Sequence, residues 1–238
     1  MKEIQVGMLG FGTVGSGVVR LIRENASIIQ EKLGATLNLK RIAVRDTKKD
    51  RGIPLEPGVL TDDFQSVLSD PGISIIVELI GGYSPAREYV LAAIENGKHV
   101  VTANKALLAF HGEEIYAAAA RKRVEVRYEA AVGGGIPVLS AIKGNMAANR
   151  FWTVLGILNG TCNYILTRMT REGADFDAVL KNAQDLGYAE ADPTFDIQGI
   201  DTAHKLCLLI TLCFGTRVDF KDIHTEGIAS VSALDIDF

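Results

Sequence analysis

Between two apolar helical patterns the chain runs Gly187-Tyr188-Ala189-Glu190-Ala191-Asp192-Pro193-Thr194-Phe195-Asp196-Ile197-Gln198-Gly199-Ile200-Asp201-Thr202-Ala203-His204-Lys205. Pro193 and Gly199 break regular structure, so Glu190 and Asp196 are expected in a loop. Asp201 and Lys205 stand four apart at the start of a helix that continues through Leu206, Leu209 and Ile210, which puts them on one helix face. An amine and a carboxylate held together beside further carboxylates can bind an amino-acid-like substrate and move one proton. The same spacing also makes an ordinary surface ion pair worth only about 0.3 to 0.5 kcal/mol. The local pattern alone leaves both readings open.

The amino-terminal end carries a second pattern. Ile4-Gln5-Val6-Gly7-Met8-Leu9 reads as a short buried strand and runs into Gly10-Phe11-Gly12-Thr13-Val14-Gly15, after which Val18, Val19, Leu21 and Ile22 repeat with helical spacing. Dinucleotide binding needs this order of strand, glycine turn and helix. Gly10 permits the tight turn, Gly12 lets backbone approach a pyrophosphate, and Gly15 allows close helix-to-strand packing. The helix start then offers donors and a positive dipole to the phosphates.

The next strand, Leu37 to Val44, ends in Arg45-Asp46, with Lys48 and Lys49 close behind. An acidic side chain there favours a free ribose 2′-hydroxyl, and an arginine accommodates a 2′-phosphate. Arg45 therefore leans toward NADP, while the adjacent Asp46 keeps NAD possible; a solvated basic turn is the alternative.

Strands and helices alternate as far as Pro137, which predicts a Rossmann-like, doubly wound parallel sheet. Within it, Ile73 to Leu79 is a strand closing on Ile80-Gly81-Gly82, where a ligand can come close to the backbone. A helix follows from about Pro85 to Asn96, and Lys98 to Thr102 is another strand, delivering Asn104 and Lys105 to its carboxyl edge. The strand Val124 to Ala130 ends in Ala131-Val132-Gly133-Gly134-Gly135-Ile136-Pro137. That glycine run can gather main-chain groups around a monovalent cation or an anion, or serve as an interdomain hinge. The expected division is residues 1–135 as a dinucleotide-binding domain and residues 136–238 as an incomplete α+β substrate and dimerisation domain with a strand near Trp152 to Ile157.

With 238 residues and 47% hydrophobic content the chain has enough apolar material for real cores. The net charge of −4, with no basic stripe interleaved with aromatics, argues against a nucleic-acid partner. The longest apolar run, Leu206 to Phe214, is too short to span a bilayer, so no membrane partner is expected. The first residues lead straight into a strand without a signal-peptide pattern, which points to a cytoplasmic protein. Cys162, Cys207 and Cys213 form no paired motif and read as reduced thiols, and the four histidines show no metal-ligand spacing. Asn159-Gly160-Thr161-Cys162-Asn163 sets Cys162 at a helix start, where a thiol pKa is expected to fall.

Taken in order, Gly10 to Gly15, Thr102-Ala103-Asn104-Lys105, Glu129 to Pro137, Leu158-Asn159-Gly160-Thr161-Cys162-Asn163-Tyr164-Ile165 and Gly187 to Lys205 resemble the motifs of homoserine dehydrogenases across essentially the whole chain. That resemblance implies interconversion of aspartate 4-semialdehyde and homoserine with NADP or NAD, in the aspartate-derived route to threonine, methionine and isoleucine. It implies Lys205 as proton donor, Glu190 as a substrate ligand, Asp196 and Asp201 in support, and Lys105 between nicotinamide and substrate. It further implies main-chain carbonyls of Glu129, Val132, Gly134 and Ile136 around a sodium ion, and a homodimer in the complete protein. Family members continue past the segment matching Ile228 to Asp235, so a shortened form is expected. Two other readings are a catalytically silent NADP-binding module and a thiol-dependent semialdehyde dehydrogenase acting through Cys162.

Overall fold

Apolar, β-branched runs without polar alternation form parallel strands covered on both faces. The second half of Lys2–Leu9 (β1), Val6 to Leu9, is such a run and is buried, while its polar first half is more exposed. It leads into helix Thr13–Glu24 (α1), followed by Ala26–Leu33 (α2), Ala35–Ala43 (β2), Leu60–Thr61 (β3), Phe64–Ser69 (α3) and Ile75–Glu78 (β4). Then come Ala86–Glu95 (α4), His99–Thr102 (β5), Lys105–Lys122 (α5) and Val126–Arg127 (β6). The computed structural model describes residues 2–238 and divides the chain into two compact units, one ending at Gly134 and the other running from Gly135 to Phe238.

In the first unit the six strands lie in the order β3-β2-β1-β4-β5-β6, all neighbours parallel. The order reverses between β1 and β4, and a crevice at the carboxyl ends of such a switch point is where ligands bind in open α/β sheets. Register brings those ends level: Leu9 is opposite Ala43 on one side and Glu78 on the other, and Glu78 is opposite Thr102. Met8, Phe11, Val19, Ile42 and Val44 form a core directly beneath the crevice. The last strand is shorter than its sequence suggests, because Glu129–Ala131 already turns as a 3-10 helix.

The second unit contains Val138–Ser140 (α6), a π-helical turn over Ala141–Asn145, Gly160–Glu172 (α7), Phe176–Asp185 (α8), Thr194–Ile197 (α9), Ile200–Phe214 (α10) and Ala233–Asp237 (α11). Ile165 and Met169 of α7 pack with Val179 and Ala183 of α8 and with Ala189. Ile165, Met169 and Val179 contribute about 1.5 to 3 kcal/mol each when buried in this way, the alanines less. The strand expected near Trp152 to Ile157 is not formed: that segment has no ladder partner among the described residues, and Trp152, Leu155 and Ile157 are exposed. A strand exists only by pairing, so a suitable sequence is not sufficient.

Asp196 also departs from expectation, since it lies in the short helix α9 and not in a loop. The Asp192 carboxylate accepts from the Thr194 amide (3.1 Å) and hydroxyl (2.5 Å), and Pro193 occupies the cap, so the proline starts this helix instead of breaking structure. Gly199 then turns left-handed (φ 76°) with the backbone of Glu226 against it, and Ile228 donates to the Ile197 carbonyl at 2.8 Å.

Candidate functional sites in the two units

The crevice of the first unit is built on Gly10, Gly12 and Gly15. Gly10 has φ +97°, and a Cβ there would stand 2.7 Å from the Leu79 carbonyl oxygen. A Cβ on Gly15 would meet the Gly10 carbonyl oxygen at 2.7 Å, whereas nothing lies within 4 Å of one on Gly12. The first and third glycines therefore serve packing, and the middle one leaves open space. Gly12 caps α1 without any side-chain bond to the helix amides, and Thr13 and Val14 are exposed beside it. These unspent donors suit a phosphate group.

A cleft of about 300 Å³ runs from Gly10 and Gly12 past Phe11, Arg45, Asp46, Lys49 and Arg51. Arg45 is exposed. Asp46 spends one carboxylate oxygen on its own turn, accepting from the amides of Lys48 (2.9 Å) and Lys49 (3.2 Å). Arg51, unnoticed in the sequence, ties the cleft together. It donates to the carbonyls of Phe11 (2.8 Å), Lys49 (2.7 Å) and Asp46 (2.8 Å), and its guanidinium lies 5.6 Å from the centre of the Phe11 ring.

Glu78 was also missed. It is 0% exposed at the end of β4. One carboxylate oxygen accepts from the amides of Ile80 (2.7 Å) and Gly81 (3.2 Å), the other from the Thr102 hydroxyl (2.6 Å). Thr102 Oγ1 in turn accepts from the Asn104 amide at 2.9 Å. Asn104 caps α5 by accepting from Leu107 N (3.1 Å) and donates to the Gly82 carbonyl (2.7 Å). This network fixes the left-handed Gly81 and Gly82 (φ 79° and 70°) and sets Lys105, half-buried, as the first residue of α5.

In the second unit Lys205 Nζ donates to Asp201 Oδ2 (2.5 Å) and to the Leu158 carbonyl (2.6 Å). Their side chains are only 17% and 12% exposed, so this is not the solvated surface pair that spacing alone allowed. The Asn159 amide nitrogen donates to Asp196 Oδ1 (2.7 Å) and Asp201 Oδ2 (3.0 Å). Asp196, Asp201 and Lys205 thus meet in one cluster, while Glu190 is exposed and its side chain stands outside it.

Cys162 lies against the same cluster, its thiol donating to the Asp196 carbonyl at 3.1 Å. The lowered thiol pKa expected at a helix start is overturned. Burial first, then the nearby Asp196 and Asp201 carboxylates, push it up to about 11, against a smaller opposing effect of Lys205. Alkylation of Cys162 by iodoacetamide is accordingly expected to be slow at neutral pH and to accelerate steadily as pH rises toward 10, read by mass spectrometry of the modified peptide.

Of the four carbonyls assigned to a cation, that of Glu129 accepts from Val132 N (3.4 Å) and that of Ile136 from Val138 N (2.8 Å), while Gly134 is left-handed at φ 57°. Each engaged carbonyl has a lone pair committed to its own turn. Among the described residues no group of three or more histidine, cysteine, aspartate or glutamate side chains is arranged to hold a metal ion. No helix among them is long and apolar enough to cross a membrane.

Residues 10–129 match the family model described as homoserine dehydrogenase, NAD binding domain, and residues 137–238 match the homoserine dehydrogenase model. The chain belongs to the homoserine dehydrogenase family. A homoserine dehydrogenase of Synechocystis is 51% identical over 98% of this chain, and a crystal structure of one from Thiobacillus denitrificans is 52% identical over all of it, with a TM-score of 0.94. A hyperthermophilic archaeal homoserine dehydrogenase in complex with NADPH aligns over 97% of the chain at 26% identity and a TM-score of 0.84. The chain spans about half the length of the first two relatives, 53% and 55% respectively.

Proposed function

We propose that the chain carries the cofactor-binding and proton-transfer parts of an NADP-dependent homoserine dehydrogenase, interconverting aspartate 4-semialdehyde and homoserine in the aspartate-derived amino-acid route. The observation that carries this reading is the Lys205 ammonium. Two of its three N–H groups are held by Asp201 and Leu158, which leaves one for a substrate oxygen. A bound nicotinamide supplies or accepts the hydride. As charge develops on the aldehyde oxygen, Lys205 stabilises it and delivers the proton, and Asp201 keeps the ammonium oriented. Glu190 is assigned to the substrate's amino group, with Asp196 in support, and Lys105 to a second cationic contact with substrate. In the first unit Gly10 to Gly15 and Gly81-Gly82 cradle the dinucleotide.

The test is NADPH oxidation by the purified chain with aspartate 4-semialdehyde, and NADP reduction with homoserine. Turnover in both directions supports the reading; NADPH binding without turnover replaces it with a silent cofactor-binding module. The NADP preference rests on Arg45, together with an Asp46 already engaged in its own turn. Arg45→Ala is expected to weaken NADPH binding by about 1.5 to 3 kcal/mol, roughly ten- to a hundredfold, and to leave NADH almost unaffected in a fluorescence titration. Equal weakening of both cofactors, or of neither, contradicts the assignment.

A further inference from the structure

Asn159 is 8% exposed, and every hydrogen-bonding group of its side chain is committed. Its Oδ1 accepts from Cys162 N (2.8 Å), which caps α7. Its Nδ2 bridges Asp196 Oδ1 and Asp201 Oδ2. The direction of the amide is dictated by these partners, because Cys162 offers a donor and the carboxylates offer acceptors. Asp201 Oδ2 is also the atom that receives Lys205 Nζ, and the residue before Asn159 supplies the other carbonyl to the same ammonium. Two consecutive residues at the start of α7 therefore reach one helix, α10, at two points around one amine.

An N-cap needs only the oxygen of this side chain. Serine, aspartate and asparagine cap about equally well. The nitrogen does something a cap does not require: it places a neutral donor between two carboxylates, Asp196 and Asp201, the second of which holds Lys205. We propose that Asn159 is a positioning residue for the reaction, holding Asp201, and through it the Lys205 ammonium, in the orientation that proton transfer needs. The proposal rests on the assignment of Lys205 as proton donor, and adds a residue that touches neither substrate nor cofactor in the proposed mechanism.

The experiment compares Asn159→Ser, Asn159→Ala and Asn159→Asp with the unaltered chain. Serine keeps the cap but cannot reach the carboxylates; alanine loses both. Positioning predicts that kcat falls about ten- to a hundredfold in both variants with KM for NADPH unchanged, and that alanine alone also lowers the melting temperature markedly. A purely structural cap predicts near-normal kcat for the serine variant, which overturns the proposal.

The aspartate variant gives a separate sign. Charged, it sets a third carboxylate beside Asp196 and Asp201, near the Lys205 ammonium and the Cys162 thiol; protonated, it recovers a donor in the same place. Its activity relative to the unaltered chain should therefore rise as pH is lowered, whereas a cap works at least as well when charged and predicts no such rise. Failure of both the serine and aspartate variants to fold overturns the positioning role in favour of a structural one.

Nitrogen NMR of ¹⁵N-lysine-labelled protein separates this outcome from failure of the functional reading. The slowly exchanging Lys205 ammonium signal, identified by its loss in Lys205→Ala, should be present in the unaltered chain and broadened away in the serine variant, whether or not the chain turns over. If that signal persists unchanged, Asn159 does not position Lys205. Absence of turnover with the NMR change intact overturns only the assigned reaction.

Discussion

Lys205→Ala is expected to lower turnover of aspartate 4-semialdehyde by a factor of about 10² or more while leaving NADPH binding nearly unchanged. General acid catalysis is commonly worth about 10² to 10⁴, and here the donor is a preorganised ammonium with two of its bonds already made. Lys205→Arg should not restore the rate, because a guanidinium holds its proton too tightly to deliver it and its planar fork does not match a point donor held by one carboxylate oxygen and one carbonyl. The measurement is single-turnover kinetics at saturating NADPH, beside a cofactor titration and a melting curve. The melting curve matters because truncation removes the ion-pair partner of a largely buried Asp201, at a cost of about 1 to 3 kcal/mol. Near-normal turnover in a folded Lys205→Ala protein removes Lys205 from the mechanism.

The features legible in the sequence are those whose parts lie close together along the chain. Gly10, Gly12 and Gly15 span two turns of backbone, and the strand before and helix after them are unmistakable, so the turn can be read with a reason for each glycine. Asp201 and Lys205 are adjacent on a helix face by arithmetic. The depth at which they sit was not legible, because it depends on Leu158 and Asn159, dozens of residues earlier. Glu78 escaped notice for the same reason: its partner Thr102 is a neighbour only through strand register. The available signal was a lone acid at the end of an apolar strand, which only a specific set of donors can make tolerable.

Where local and tertiary effects opposed each other, the tertiary effect won. The helix start pulls the Cys162 thiol toward ionisation, but burial and two carboxylates from elsewhere in the chain outweigh it. Residues 152 to 157 have strand-like composition and no strand beside them among the described residues, so composition does not become structure there. Arg51 is a different kind of omission. It lies in a basic turn that looks solvated, and only the fold shows three carbonyls converging on its guanidinium.

The largest expected effect on stability belongs to Glu78. Its carboxylate, on a side chain with no exposure to water, accepts from the amides of Ile80 and Gly81 and from the Thr102 hydroxyl. Glu78→Ala leaves the buried Thr102 hydroxyl unpaired, at a cost of about 1 to 3 kcal/mol, and removes the acceptor of the part-buried Ile80 and Gly81 amides as well. A loss of about 3 kcal/mol or more follows, equivalent to a melting temperature lower by roughly 6 to 12 °C for a chain of this size. Glu78→Gln keeps the volume but turns an N–H₂ group toward donors that need an acceptor, so it should recover only part of the loss. Because the same carboxylate holds the left-handed Gly81-Gly82 turn and, through Thr102 and Asn104, the start of α5, NADPH affinity should fall in both variants even below their melting temperatures. Calorimetry with and without NADPH checks both parts. A stability change under about 1 kcal/mol would mean that water replaces the carboxylate, and unchanged affinity in a destabilised variant would detach the network from the cofactor cradle and leave it a purely structural brace.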